Sequence, residues 1–314
     1  AEHPFFTYDD WFIGTTPMDK GIPQESKGFS HRFHYNDIGS LEKVFAENTG
    51  QIACVILEPT TFISPCPETK SMLDKPNCTA HSDKSKHFLH QVKELCRKNG
   101  AVFILDEMIT GFRYDLQGAM KVFDIEPDLA TFGKGMANGF PLSALIGKKE
   151  IMNLGGILEE GAERVFLIST THGSEMASLG AFIRSVELYK NLDVTGHLWE
   201  YGKKLVNGMN AIAKKLGIQE YFEVGGWAVS PTYTTRDKSK NVSMEFRTLF
   251  SQEMIRNGVL IPWISLCYSH GETELKLTLE ACEKALEVYK KALAGDIKDH
   301  LVGRAVKPVF RKYN

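Results

Sequence analysis

An α/β fold built on a mostly parallel sheet, followed by a smaller α+β domain, is the architecture this sequence predicts. Three observations carry that expectation: apolar runs that each stop at a polar residue, helical periodicity between the first two runs, and a change of texture near residue 190. They divide the chain into a large domain over 1–190 and a C-terminal domain over 191–314.

The elements follow in order. Leu41 to Glu47 suits a short amphipathic helix, and Ile52 to Leu57 is a continuous apolar run ended by Glu58-Pro59, as in a buried parallel strand. A polar, proline-bearing insertion from Ser64 to Asp83 predicts a surface excursion. From His87 to Lys98 the apolar residues Phe88, Val92 and Leu95 or Cys96 recur at helical spacing, and Gly100 suits a helix C-terminus. Ala101 to Leu105 then predicts a second buried strand, ended by Asp106-Glu107. Strand, helix and strand at this spacing make a right-handed βαβ unit. Leu129 to Phe132, ended by Gly133-Lys134, predicts a third strand. Shorter strands are expected over Pro141–Ile146 and Val165–Ile168, and a long helix over Glu175–Leu188. Beyond that, the pattern predicts helix (197–216), strands (221–229), helix (243–257), a short strand (259–262) and a final helix (272–294).

Composition excludes several functions. Of 314 residues, 37 are Lys or Arg and 39 are Asp or Glu, so the chain lacks the basic excess that nucleic acid or a membrane surface would select. No apolar run reaches membrane-spanning length, and Ala1 to Trp11 has no secretory pattern. The cysteines at 54, 66, 78, 96, 267 and 282 form no Cys-x-x-Cys pair and have no His at zinc spacing, so no metal site is expected. Free thiols in a cytoplasmic protein are the expectation.

Glu58, Asp106 and Lys134 each follow directly on an apolar run. If those strands are parallel, the three side chains meet at the carboxyl edge of the sheet, where open α/β sheets bind ligands. Each alone could serve as a turn or cap residue. Lys134 sits in Thr131-Phe132-Gly133-Lys134-Gly135-Met136, among glycines and apolar side chains. Such surroundings suit a desolvated lysine able to form a Schiff base, and equally an exposed lysine in a glycine-rich turn.

Leu105-Asp106-Glu107-Met108-Ile109-Thr110-Gly111-Phe112-Arg113, with Lys134 28 residues after Asp106, resembles the class III aminotransferases, which are fold type I enzymes dependent on pyridoxal 5'-phosphate (PLP). Within that group the segment is most similar to glutamate-1-semialdehyde 2,1-aminomutase-like proteins. Ser169-Thr170-Thr171-His172-Gly173-Ser174-Glu175-Met176-Ala177 resembles the family stretch that reaches a neighbouring subunit's phosphate, and Ile261-Pro262-Trp263 with Ser269-His270 fits the family's small domain. The resemblance implies a large domain whose mixed, mostly parallel sheet carries helices on both faces. It implies that Lys134 forms the internal aldimine and shuttles protons, and that Asp106 pairs with the pyridine nitrogen. It places Met108 against the ring, Thr170 or Thr171 at the phosphate, and Glu58 near the cofactor. A homodimer with an intersubunit active site follows, acting on small-molecule amino donors and acceptors. Arg32, Arg113 and Arg236 are candidates for binding a substrate carboxylate.

Two departures stand out. Ile109 occupies the position where many ω-amino-acid aminotransferases carry glutamine, which resembles the aminomutase side. No Gly-Ser-Gly-Thr-like turn precedes Asp106 to hold a phosphate on backbone N–H groups, so the resemblance implies a chain lacking the family's N-terminal portion. The sequence thus supports PLP-dependent amino-group transfer, by an aminotransferase or an aminomutase. It leaves open a catalytically impaired, truncated relative acting as a binding or dimerisation partner. A PLP-independent Schiff-base lyase explains Lys134 but neither the Asp106 spacing nor the Thr170 segment.

Overall fold

The computed structural model describes residues 17–60, 62–76, 83–156, 160–161, 163 and 175–313. Two compact units divide the chain: one takes residues 1–69, 76–195 and 310–314, the other 70–75 and 196–309.

The first unit opens with a short helix α1 (Gln24–Lys27), then α2 (Ile38–Glu47). α2 starts three residues before the apolar pattern because the Asp37 side chain accepts from Ser40 N, a local N-cap. Strand β1 (Cys54–Leu57) is followed by α3 (Phe88–Asn99), β2 (Val102–Asp106), a short helix α4 (Ala119–Val122), β3 (Leu129–Phe132) and β4 (Ala144–Gly147). Gly100, at φ 68°, closes α3 in the left-handed conformation. A short helix α5 (Lys149–Met152) and a long helix α6 (Met176–Leu192) complete the unit. The strand expected over 165–168 lies outside the described residues.

The four strands form one sheet in the order β1-β2-β3-β4, with β1–β2 and β2–β3 parallel and β3–β4 antiparallel. Side-chain alternation gives the sheet a buried face of Val55, Leu57, Phe103, Leu105, Ala130 and Phe132. Burying six such side chains, at about 1.5–3 kcal/mol for each large one, is the main force holding the strands in register. The opposite face carries Cys54, Ile56, Val102, Ile104 and Thr131, which are half-buried or exposed. This is the mixed, mostly parallel sheet that the sequence led one to expect.

The second unit contains α7 (Val194–Lys215), a hairpin of β5 (Phe222–Trp227) and β6 (Ser230–Thr235), α8 (Met244–Arg256) and α9 (Glu272–Ala294). Its core stacks Phe222, Tyr233, Phe250 and Tyr289. α7 approaches the hairpin turn at Gly202, where a Cβ would lie 2.6 Å from the Ala228 carbonyl carbon. Ala228 N donates to Met72 O at 2.8 Å, and Lys203 pairs with Asp74 at 2.5 Å, so part of the insertion is built into this unit. A strand is expected over 259–262, but none forms there. The carbonyls of Ile261 and Pro262 instead accept from the Tyr233 hydroxyl (3.2 and 3.3 Å), and Pro262 also from Arg247 Nη2 at 3.1 Å. Side-chain donors therefore take the place of a strand partner. Among the described residues no helix is long and apolar enough to cross a membrane.

Candidate active site

Parallel pairing decides what the strand ends present. The register Ile56↔Ile104 and Leu57↔Leu105 brings Glu58 beside Asp106 as the next pair, and Asp106 itself pairs with Thr131 of β3. Paired residues point to the same side, so Glu58, Asp106 and Thr131 form a row on one face at the carboxyl edge, roughly 4.8 Å apart from strand to strand. Asp106 is the last residue of β2. Its Oδ1 accepts from Met108 N at 3.0 Å and from Thr131 Oγ1 at 3.1 Å. Among the described residues no hydrogen bond reaches Oδ2, leaving that oxygen able to meet a ligand's N–H.

The electrostatics tie Lys134 to the same row. Burial pushes the Glu58 carboxyl up to about 7; the neighbouring Asp106 adds to the rise and the Lys134 ammonium opposes it. On the other side of Glu58 lie two phenols. Tyr35 Oη donates to Pro59 O at 2.5 Å, fixing the chain just past Glu58. Burial raises both Tyr35 and Tyr114, and Glu58 adds to each rise.

Lys134 sits at φ 43°, a left-handed conformation that a non-glycine residue adopts only when its surroundings impose it. The imposing contacts are visible. Gly133 lies against Met108, whose sulfur would be 2.8 Å from any Cβ added there. Met136 N bonds Gly133 O at 2.9 Å, closing the 3-10 turn, and Asn138 N bonds Lys134 O at 3.0 Å. Tyr189 of α6 donates to Gly135 O at 2.8 Å. The Tyr189 ring stacks on Phe112 at 5.8 Å, and Phe112 meets Phe132 and Phe182 edge-on. The loop after β2 and the lysine turn are thus one packed body.

Glu107 builds that loop, and the sequence reading passed over it. It is 0% exposed, and its carboxyl accepts from Ala119 N at 2.9 Å, Met120 N at 2.6 Å and the Thr110 hydroxyl. Burial raises its pKa, and these three donors oppose the rise. Gly118, at φ 82°, and Gly111 leave the space: a Cβ at 118 would lie 2.8 Å from the carboxyl, and one at 111 would lie 2.7 Å from Glu107 O. The signal was an acidic doublet followed by two glycines. Tyr189, Tyr35 and Tyr114 left no comparable mark in the sequence.

One expectation is corrected. The sequence allowed a desolvated Lys134, whereas residue 134 is exposed. Its turn carries it past the end of β3. Thr170 and Thr171 lie outside the described residues. Arg113 is within electrostatic reach of Tyr114 and Tyr189, beside the loop. Arg236, in the second unit, is paired with Glu223 at 3.4 Å, and Arg32 is exposed.

A lysine amine, a carboxylate with an open oxygen, and a methionine lying on the glycine before the lysine suit the ring end of PLP. Met108 would flank the ring, Asp106 would meet its nitrogen and Lys134 its aldehyde carbon.

Comparison with known proteins agrees with this chemistry. The 3-aminobutyryl-CoA aminotransferase of Cloacimonas acidaminovorans is 28% identical over 296 residues, covering 93% of this chain and 66% of the relative. The glutamate-1-semialdehyde 2,1-aminomutase of Sulfurihydrogenibium sp. is 29% identical over 289 residues, covering 88% and 61%. The chain spans less than two thirds of the length of these relatives. Among solved structures, the FumI protein of Sphingopyxis sp. matches with a TM-score of 0.71 at 23% identity, over 87% of this chain and 61% of that one. An omega-transaminase from Sphaerobacter thermophilus matches with a TM-score of 0.68 at 21% identity, over 86% and 60%. These structural likenesses show the fold. The family model for class-III aminotransferases matches residues 81–262, more than half of the chain and a span that includes both Asp106 and Lys134, so the chain belongs to the class-III aminotransferase family.

Proposed function

We propose that this chain carries the lysine and carboxylate of a PLP-dependent amino-group-transfer site, working as an aminotransferase or as a 2,1-aminomutase-like enzyme. The observation that supports the reading is that Asp106 ends β2 and Lys134 follows β3, its parallel neighbour, with Glu58 influenced by both. When bound, PLP supplies an electron sink for the carbon that loses a proton. Lys134 Nζ is the amine that holds the cofactor and then accepts and returns a proton at the substrate carbon. Asp106 Oδ2 holds a proton on the ring nitrogen, as an ionised acceptor favours the charged form of its donor. Met108 would lie against the ring, and Glu58 belongs to the surroundings of Asp106. Thr170 and Thr171 are proposed for the phosphate of a partner subunit, which makes the working unit a homodimer acting on small-molecule amino donors and acceptors.

A second reading is a catalytically impaired relative kept as a binding or dimerisation partner. One experiment separates the two. The full chain is incubated with PLP, reduced with borohydride and digested. A cofactor-bearing peptide containing Lys134, absent from Lys134→Gln, supports the enzyme; no label at that peptide favours the partner. Amino transfer from glutamate or alanine to a keto acceptor, measured against isomerisation of glutamate-1-semialdehyde, then distinguishes the two reactions.

A further inference from the structure

Four asparagines in this chain stand directly before a glycine: Asn99, Asn138, Asn207 and Asn257. Such a pair can react with itself, because glycine has no side chain to bar its own backbone nitrogen from the asparagine amide. We propose that Asn138, four residues after Lys134, is a self-modification site that ages the lysine turn. Its side-chain amide is lost through a succinimide, and water leaves an aspartyl or isoaspartyl residue in its place. The inference goes beyond the proposed function and does not rest on it.

The turn itself calls for this pair. Phe140 N donates to Ala137 O at 3.4 Å, and both central residues lie at positive φ, Asn138 at 49° and Gly139 at 117°. Turns of that mirror-image hand select asparagine and glycine, which tolerate the left-handed region. Both residues are exposed, and a Cβ added to Gly139 would meet nothing within 4 Å. Among the described residues no hydrogen bond holds the Asn138 side-chain amide or the Gly139 N–H. The peptide between them is therefore free to turn and bring that nitrogen to the side-chain carbon. The other three pairs are restrained. At the end of α3, Asn99 Nδ2 donates to Leu95 O at 2.8 Å and Gly100 N to Arg97 O at 3.5 Å. At the end of α8, Asn257 Nδ2 donates to Glu253 O at 2.8 Å and Gly258 N to Ile255 O at 3.0 Å. Asn207 and Gly208 lie inside α7, where a Cβ on Gly208 would come 2.7 Å from Leu279.

The reaction needs no co-reactant but water. Gly139 N bonds to Asn138 Cγ, the Cγ–Nδ2 bond breaks, and Nδ2 departs as ammonia with the proton that Gly139 N gives up. Water then opens the ring at either of its two carbonyls. One product keeps the backbone and carries a carboxylate on the side chain. The other routes the backbone through the former side chain, making it one atom longer. Both put a negative charge into the turn. Asn138 N bonds Lys134 O at 3.0 Å, and Met136 N bonds Gly133 O at 2.9 Å. A lengthened backbone at 138 loosens these bonds, and with them the left-handed conformation of Lys134 at φ 43°.

The test needs no cofactor. The full chain is aged in mildly alkaline buffer, native and in urea, and the four sites are followed by peptide mapping. The readouts are the mass change from amide to acid and an isoaspartyl-specific methyl label. In urea all four pairs are unrestrained. In the native chain, 138 should convert at close to its urea rate. Sites 99, 207 and 257 should slow by about tenfold or more, the scale of first breaking one or two hydrogen bonds. A native rate at 138 slowed as much as at the other three overturns the proposal. Asn138→Gln, which would need a larger ring, should lose the signal at 138 and keep the other three; a signal that persists in its 138 peptide also overturns the proposal. The effect on the turn is read by hydrogen exchange at Met136 N–H, which should quicken by about tenfold in aged wild type, as for one net hydrogen bond lost, and stay unchanged in equally aged Asn138→Gln. Exchange that is the same in fresh and aged wild type overturns the claim that the modification loosens the lysine turn.

Discussion

Met108 lies so close to Gly133 that a single added carbon at 133 would come within 2.8 Å of its sulfur. The contact links the residue two places after Asp106 to the residue directly before Lys134, and so couples the two halves of the site. Gly133→Ala should displace the Met108 side chain and lower stability by about 1–3 kcal/mol, the usual cost of overpacking. Chemical denaturation reads the loss. PLP uptake should weaken in parallel, and an unchanged uptake would mean that Met108 does not flank the ring.

Glu107 supports the loop from beneath. Glu107→Ala strands the N–H groups of Ala119 and Met120 and the Thr110 hydroxyl in a buried place. Unsatisfied donors cost about 1–3 kcal/mol each, so thermal unfolding should show a loss on the order of 3 kcal/mol or more. Glu107→Gln keeps the volume but turns an amide towards one of those N–H groups, and should fall between the wild type and alanine.

Glu58 should make stability depend on pH. Its folded value of about 7 lies above the ordinary 4.5, so the folded state binds its proton more tightly than the unfolded state. Below 4.5 both states are protonated and the group is stability-neutral relative to its acid form. As pH rises from 4.5 towards 7, the unfolded chain gives up this proton while the fold still holds it, so stability falls through that window. The loss is at most about 3 kcal/mol at 1.36 per unit, and smaller because Glu58 is only partly buried and solvent screens it. Glu58→Gln should flatten the curve of unfolding free energy against pH over that window. A wild-type curve with no slope there would contradict the assignment.

Tyr189 fixes the lysine turn through Gly135 O. Tyr189→Phe keeps the stack on Phe112 and removes only the hydrogen bond, so it should cost about 1 kcal/mol. The sharper readout is borohydride labelling at Lys134, which should slow as the left-handed turn loosens.

Asp106→Asn separates attachment from turnover. Lys134 should still be labelled by PLP and borohydride, while single-turnover amino transfer should fall by about a hundredfold or more, the scale of losing one preorganised electrostatic partner. Equal loss of both would give Asp106 a role in holding the fold instead.

Much of the architecture was legible because it is written in contiguous residues. β3 and α9 occupy Leu129–Phe132 and Glu272–Ala294, as periodicity predicts, and Gly100 ends α3 where a left-handed residue is needed. The polar residues after each apolar run pointed to the carboxyl edge without any knowledge of register. Long-range partners decided the rest. Parallel pairing set Glu58, Asp106 and Thr131 in a row, and the buried hydrogen bonds of Glu107 turned an ordinary acidic doublet into the support of a loop. At 259–262 an apolar pattern formed no strand, because Tyr233 and Arg247 reached its carbonyls first. The exposure of Lys134 likewise depends on what packs around its turn. Propensity and pattern are properties of neighbours along the chain; register, burial and charge coupling belong to residues that meet only after it folds.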